Sequence, residues 1–340
     1  MNKPLYRLSK QEEFRKAGPL DLIEVAGAPH QHPLYIPKLV LEEFVTAVMN
    51  NEFCHISGPT GTAKTAMIEA LNLEPENWRA LCAALGYPVK PLKLYPIPMP
   101  VFETPGELLV RRALSNGSTL DEKSVLVRSV EDALRHRATH VTVIWCKELG
   151  RVHSTSVQGG LLDLITKGDI ILPDGSRLDG SSIAWIADSN YQAEADATHT
   201  LVVLDVAVKR RFTVNITMNY LSAEQEGMVL REIVRKLKPR GFQKTDDELI
   251  EKVVKLGHAV RRQHEEGNLQ SAPPPTISGY LAFLRLSVAL RHLSLQQIAM
   301  ATLLGHCSRE DSKQAAAVLN EVFGLQVLDA EDPAMGVNLF

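Results

Sequence analysis

From Pro37 onward the apolar positions recur at helical spacing through LVLEEFVTAVMNN. The pattern then changes to a short unbroken apolar run, Phe53 to Ile56, that leads straight into Gly58. A further helical stretch carries AMIEAL and gives way to the proline-rich YPVKPLKLYPIPMPVF. Within it LKLYPIPM predicts an irregular or edge strand, because proline cannot donate to a sheet ladder. A helix over SVLVRSVEDALRH precedes VTVIWC, Val141 to Cys146, whose length and β-rich composition suit a buried parallel strand. Beyond a helical stretch near Ser156 to Thr166, DIILPDGSRL predicts a hairpin about Pro173, Asp174 and Gly175. A buried strand over Ile183 to Asp188, a short helix over 204 to 211 and a last strand, Phe212 to Thr217, complete the series. Strands that alternate with helices imply an α/β fold with a mainly parallel sheet.

From Ser222 the 3.6-residue period dominates, through AEQEGMVLREIVRKL, DDELIEKVVKLGHAVRRQHEE, GYLAFLRLSVALRH and SREDSKQAAAVLNEVF. This predicts a second, all-helical domain, interrupted at NLQSAPPPT where three consecutive prolines forbid helix. Residues 1 to about 30 are mixed and rich in turn formers, and they are expected to pack only in part. The expected organisation is 1–34 as an N-terminal segment leading into the core, 35–221 as the α/β core, 222–324 as the helical domain and 325–340 as a tail.

Composition narrows the class. The 340 residues are 45% hydrophobic and 23% charged, as in an ordinary globular protein. A net charge of −3 gives no general pull toward nucleic acid or anionic membrane. Cys54, Cys82, Cys146 and Cys307 stand singly, without metal-site spacing, and read as buried thiols. The N-terminal MNKPLYRLSKQEEFRK lacks a signal-peptide core and no segment approaches a membrane span, so the cytoplasm is the expected compartment.

The strongest chemical signal is Gly58-Pro59-Thr60-Gly61-Thr62-Ala63-Lys64-Thr65 between a strand and a helix. Such a loop aims backbone N–H groups and a helix N-terminus at phosphate, while the lysine reaches the terminal phosphates and the threonine hydroxyl reaches Mg²⁺. Ala63 stands where glycine is usual; alanine is expected to be tolerated there in helical torsions. The second element of such a site is an apolar strand ending Asp-Glu, for the metal and the attacking water. Here the strand ends Cys146-Lys147-Glu148. Glu148 suits water activation, whereas an ammonium at Lys147 cannot accept from metal-bound water and would add a second positive charge beside Lys64. Three explanations stay open: a weak or inactive ATPase, a lysine that points away while Glu148 serves both roles, or an introduced substitution. Asn190 follows the strand ending in ADS and is placed to bond a γ-phosphate or the attacking water. Arg211, in Arg210-Arg211-Phe212, closes the α/β region, where an arginine can reach the phosphates of a neighbouring subunit.

The set GPTGTAKT, VIWCKE, Ser189-Asn190 and KRRF, followed by a helical domain, resembles the AAA+ ATPases, and among them the MoxR and CbbQ-like branch. The likeness spans most of residues 35 to 300, and ELGRVHSTSVQGGLLDLITKGDIILPDG resembles that branch's region after the acidic pair, with its short hairpin insertion. The resemblance implies a P-loop αβα core and helical lid, with Lys64 and Thr65 as the Walker A pair, Glu148 as the Walker B glutamate, Asn190 as sensor 1 and Arg211 as an arginine finger. It implies ATP and Mg²⁺ as ligands, with Thr65 on the metal, and a self-assembled ring, a hexamer, that remodels or activates a client protein. A partner with a von Willebrand factor A domain is often part of such systems. Two departures stand out: Lys147, and Pro275-Thr276-Ile277-Ser278-Gly279 where a sensor 2 arginine is usual, with Arg285 two turns further on. The alternatives are an ATP-assembled scaffold without appreciable hydrolysis, or a DNA-associated ATPase of a defence or mobile element.

Overall fold

The computed structural model describes residues 5–27, 32–115, 118–152, 155–190, 204–237, 241–242, 245–269, 271–305, 307–308 and 310–324. Contact density divides the chain between Asn219 and Tyr220 into two compact units.

The first unit is organised by a five-stranded sheet of β4 (Phe53–Gly58), β5 (Leu92–Pro98), β8 (Val141–Lys147), β11 (Ala184–Asn190) and β12 (Val214–Thr217). Their order is β12-β4-β11-β8-β5, and every pairing is parallel. β5, with its prolines, is an edge strand as the sequence predicts, since a missing N–H is tolerated where one side has no partner. The connection from β4 runs outward to β5, whereas β12 returns to the other flank of β4. Open parallel sheets bind ligands at the carboxyl ends of strands where the order reverses in this way.

Alternation along the strands sorts two apolar layers. Val143, Trp145, Ala184 and Ile186 face α2 (Lys38–Met49), α3 (Lys64–Leu73) and α4 (Pro75–Leu85). Ile144, Cys146, Trp185 and Ala187 face α5 (Val125–His136), α6 (Thr155–Lys167) and α7 (Val206–Arg211). Three of the single cysteines, Cys54, Cys82 and Cys146, are buried, and burial pushes their thiols up to about 12, 11 and 12.

The N-terminal residues pack more fully than their composition predicts. β1 (Tyr6–Arg7), β2 (Leu22–Val25) and β3 (Leu34–Pro37) form their own sheet beside α1 (Gln11–Lys16), and Leu8, Phe14, Ile23, Val25 and Ile36 enter the core shared with α2 and α4. Strands this short show no readable period. A second unpredicted feature is the antiparallel hairpin of β6 (Val110–Ser115) and β7 (Ser118–Lys123). The predicted hairpin is present as β9 (Asp169–Ile171) and β10 (Arg177–Asp179), and it follows α6.

The second unit holds α8 (Ala223–Leu237), α9 (Asp247–Glu265), α10 (Ile277–Ala289), α11 (Leu295–Thr302) and α12 (Ser312–Phe323). Its core carries a buried ion pair: Glu226 accepts from His258 Nε2 at 2.9 Å and Tyr280 Oη at 3.2 Å, and meets Arg261 at 2.8 Å. Arg261 also donates to the Pro275 carbonyl, so the proline turn before α10 is tied to α9. Residues 325–340 lie outside the described residues. Among those described, no helix is long and apolar enough to cross a membrane.

One buried titratable group links the sheet to α7. His55 on β4 shares a hydrogen bond with Ser189 Oγ at 2.8 Å and lies 5.4 Å from the Phe212 ring. Burial, and then the charge of Lys209, lower its pKa from 6.5 to about 4. The folded state therefore holds His55 neutral where the unfolded chain binds a proton, so stability is lost as pH falls from 6.5 toward 4. Urea denaturation should show about 2 kcal/mol more loss between pH 7 and 4.5 in the wild type than in His55→Gln.

Candidate functional site

The cleft at the carboxyl end of the sheet encloses about 300 Å³ and is lined by Thr60, Gly61, Ala63, Lys64, Thr65, Ala66, Glu69, Glu148, Gly150, Arg151, Asp188, Ser189 and Asn190. Register explains the convergence. β4 lies between β11 and β12, with Asn190 opposite Gly58 and Asp188 opposite Ile56, while Ala187 pairs with Cys146 on β8. The phosphate loop and the ends of β8 and β11 therefore meet at one level.

The loop requires its glycines. Gly58 has φ +153°, and a Cβ there would collide with the Met218 carbonyl, next to β12. Gly61 has φ +84°. Ala63 departs from expectation: it caps α3 with φ +66° and ψ +20°, in the left-handed region, rather than in helical torsions. The loop must reverse before α3 starts, and that reversal sets the torsions whichever residue occupies the position.

Lys64 is 5% exposed, and its ammonium folds back onto the loop, donating to the Gly58 carbonyl at 2.8 Å and the Pro59 carbonyl at 2.7 Å. Burial lowers its pKa to about 8, against the opposing pull of Asp188. Thr62 Oγ1 donates to the Pro59 carbonyl at 3.0 Å, which closes the turn.

Thr65, at the first turn of α3, directs its hydroxyl at Asp188 Oδ2, 3.4 Å away. Asp188 was not among the residues singled out from the sequence, although an acid at the end of an apolar strand, two residues before Asn190, was a readable signal. It is 4% exposed, and its other oxygen accepts from Trp145 Nε1 at 2.7 Å and the Glu148 amide at 3.3 Å. Burial raises its pKa, while Trp145, the Glu148 amide and Lys64 act in the opposite sense.

Lys147 is not among the residues that line the cleft. Its ammonium pairs with Glu69 of α3 at 3.2 Å and lies 4.5 Å from the centroid of the Trp145 ring. Of the open explanations, the one in which this lysine points away agrees with the geometry; the carboxylate beside Thr65, however, is Asp188 rather than Glu148. Glu148 begins the turn after β8 in the left-handed region, φ +55°, with an exposed carboxylate 3.6 Å from Arg151. Asn190 is the last residue of β11 and borders the cleft. Arg211 ends α7, is exposed and does not line the cleft of its own chain. In the helical unit Thr276 caps α10 through the Gly279 amide, and the Arg285 guanidinium lies 5.4 Å from the Phe242 ring centroid.

Among the described residues no group of three or more His, Cys, Asp or Glu side chains is placed to hold a metal ion alone. Mg²⁺ needs no such group, because it takes hard oxygen donors, retains water and is shared with substrate phosphates. A threonine hydroxyl and a carboxylate at 3.4 Å fit that donor chemistry.

No protein-family model and no curated protein matches the chain. Among solved structures it is similar to a Cytophaga hutchinsonii protein designated an ATPase, at 15% identity and a TM-score of 0.38, over 84% of this chain and 80% of that one. It is also similar to NtrX from Brucella abortus, solved in complex with ADP, at 14% identity and a TM-score of 0.42, over 84% of this chain and 61% of that one.

Two outcomes follow from the loop. A left-handed L-residue costs roughly 1–2 kcal/mol, and glycine gives back about 0.4–1 kcal/mol through the unfolded chain. Ala63→Gly should therefore raise unfolding free energy by about 0.5–1 kcal/mol in urea titrations. A bound phosphate restores the charge of Lys64, so binding takes up a proton near and above pH 8. Affinity of the cleft for pyrophosphate, used as a probe anion, should fall roughly tenfold between pH 7 and 9, with proton uptake visible by calorimetry in buffers of different ionisation enthalpy.

Proposed function

We propose that the chain is an AAA+ ATPase of the MoxR/CbbQ-like branch, which binds ATP with Mg²⁺ in a self-assembled ring and uses its turnover to remodel or activate a protein client. The observation that carries this reading is the meeting of the Lys64 ammonium, the Thr65 hydroxyl, Glu148 and Asn190 around one cleft at the end of a parallel sheet.

Each residue has a role that its position supports. The loop from Gly58 to Thr65 holds phosphate oxygens on its backbone amides. Lys64 exchanges its loop carbonyls for the terminal phosphates, which are stronger acceptors because they are charged. Thr65 offers a hydroxyl to the metal, and Mg²⁺, when bound, neutralises charge on the β- and γ-phosphates. Glu148 takes a proton from the attacking water, and its strained turn fixes the direction of approach. Asn190, beside Gly58, orients that water or the γ-phosphate. Arg211, exposed at the end of α7, serves the site of the next subunit, which makes ring formation part of the chemistry. A client, and a partner with a von Willebrand factor A domain, follow from the family resemblance alone.

A second reading, an ATP-assembled scaffold with little turnover, draws on the pairing of Glu148 with Arg151, which occupies the candidate base. A DNA-associated role has the net charge of −3 set against it.

Steady-state phosphate release from ATP and Mg²⁺, followed over a range of protein concentrations, separates these. The ATPase reading expects turnover that rises with self-association. Glu148→Gln should lower it by roughly 100-fold or more, and Arg211→Ala by about 1,000-fold, while both retain ATP binding. Nucleotide-dependent assembly without phosphate release would establish the scaffold instead.

A further inference from the structure

Among the described residues the carboxylate that accepts from the threonine at the start of α3 belongs to β11, not to β8. We infer that Asp188 is the metal-site carboxylate of this chain, carried one strand sideways from the place where Lys147 stands, and that Trp145 is its positioning residue. The inference rests on the nucleotide-binding reading of the cleft.

Strand pairing makes the exchange possible. Cys146 and Ala187 are partners across β8 and β11, so Lys147 and Asp188 are the next residues on neighbouring strands. Both strands alternate in phase: Trp145 and Ile186 face α3, and so do Lys147 and Asp188 two residues further on. Adjacent strands lie about 4.8 Å apart. A carboxylate on either one can therefore approach the hydroxyl at the start of α3.

The surroundings favour β11. Asp188 is almost wholly buried, and its donors are divided between its two oxygens: Trp145 Nε1 at 2.7 Å and the Glu148 amide at 3.3 Å take Oδ1, while Oδ2 turns to Thr65 at 3.4 Å. One oxygen is fixed and the other is left facing the threonine hydroxyl that coordinates Mg²⁺ in phosphate-loop proteins. A purely structural acid in this place would need only the indole and the amide.

Lys147 fits the same arrangement. Its ammonium lies over the Trp145 ring and is held by Glu69, so its charge is satisfied by an anion and an aromatic face. An aspartate at 147 would remove the partner of Glu69 and set a second carboxylate near Asp188, where like charges repel.

The test uses Mn²⁺ as a probe, read by electron paramagnetic resonance, with ADP binding measured by calorimetry in parallel. The full-length wild type should bind ADP in EDTA and take up Mn²⁺ only when ADP is present. Asp188→Asn, which keeps an acceptor for the indole, should bind metal-free ADP within threefold of wild type and hold Mn²⁺ at least tenfold more weakly. Lys147→Met should leave the Mn²⁺ affinity within threefold, and Lys147→Asp should not improve it. Asp188→Cys should shift the preference from Mn²⁺ toward Cd²⁺, a change that a structural role would not produce. Should the Asp188 variants fail to fold, Trp145→Phe removes the orienting donor alone and should weaken Mn²⁺ several-fold with metal-free ADP binding retained. Wild-type Mn²⁺ affinity in Asp188→Asn, or in a folded Trp145→Phe where the Asp188 variants do not fold, overturns the inference and leaves the nucleotide site standing. ADP binding that is indifferent to metal in the wild type does the same. A wild type that binds no ADP under either condition overturns both.

Discussion

A phosphate loop must keep a row of backbone amides turned toward its ligand, and it can do so only if its carbonyls are satisfied from behind. Here Lys64 meets that need. Its buried ammonium donates to the carbonyls of Gly58 and Pro59, a burial that would be costly for an unpaired charge. The price appears as a lowered pKa, and the benefit is a loop already shaped for an anion. Gly58 fixes the other wall, since any side chain there would strike the Met218 carbonyl. The shape of the loop and its close approach to Met218 thus depend on one lysine and one missing side chain.

The parts that were legible in the sequence are those with strong local signatures. β4, β8 and β11 are largely apolar runs buried on both faces, and the loop after β4 has a fixed spacing. The helices after Ser222 declare themselves by period. The N-terminal sheet did not, because strands such as Tyr6–Arg7 and Leu22–Val25 are shorter than the stretch over which alternation can be recognised. The hairpin of β6 and β7 was missed for a different reason. Its strands are largely polar, as in RRALS and STLDEK, although Asn116-Gly117 between them is a strong turn signal. Residue identity also misled at Ala63, where alanine suggested helical torsions and the turn imposed left-handed ones.

The largest gap between sequence and structure concerns which strand carries which charge. A linear motif names positions along one strand, but a metal ion or a water responds to atoms in space. In a parallel sheet the nearest atoms in space often belong to the neighbouring strand at the same level. Lys147 looks like a loss while β8 is read alone. Beside Asp188 it looks like half of an exchange, with the cation moved out to Glu69 and the indole, and the anion moved in toward Thr65.

The same strand ends also carry the cleft toward α7. Ser189 follows Asp188 and faces the opposite side of the sheet, where its hydroxyl meets His55, and His55 lies against Phe212 directly after Arg211. Side chains that alternate along β11 therefore touch two different places: Asp188 the phosphate-loop threonine, and Ser189 the histidine that packs at the end of the arginine-bearing helix. Because one strand end, paired with β4 from Asp188 to Asn190, holds both, its displacement would be felt on both faces of the sheet. Burial of His55 in its neutral form keeps that second contact free of a charge that would repel Lys209. The residue that follows α7 is thereby linked, through His55, to the same short segment, Asp188 to Asn190, that lines the cleft.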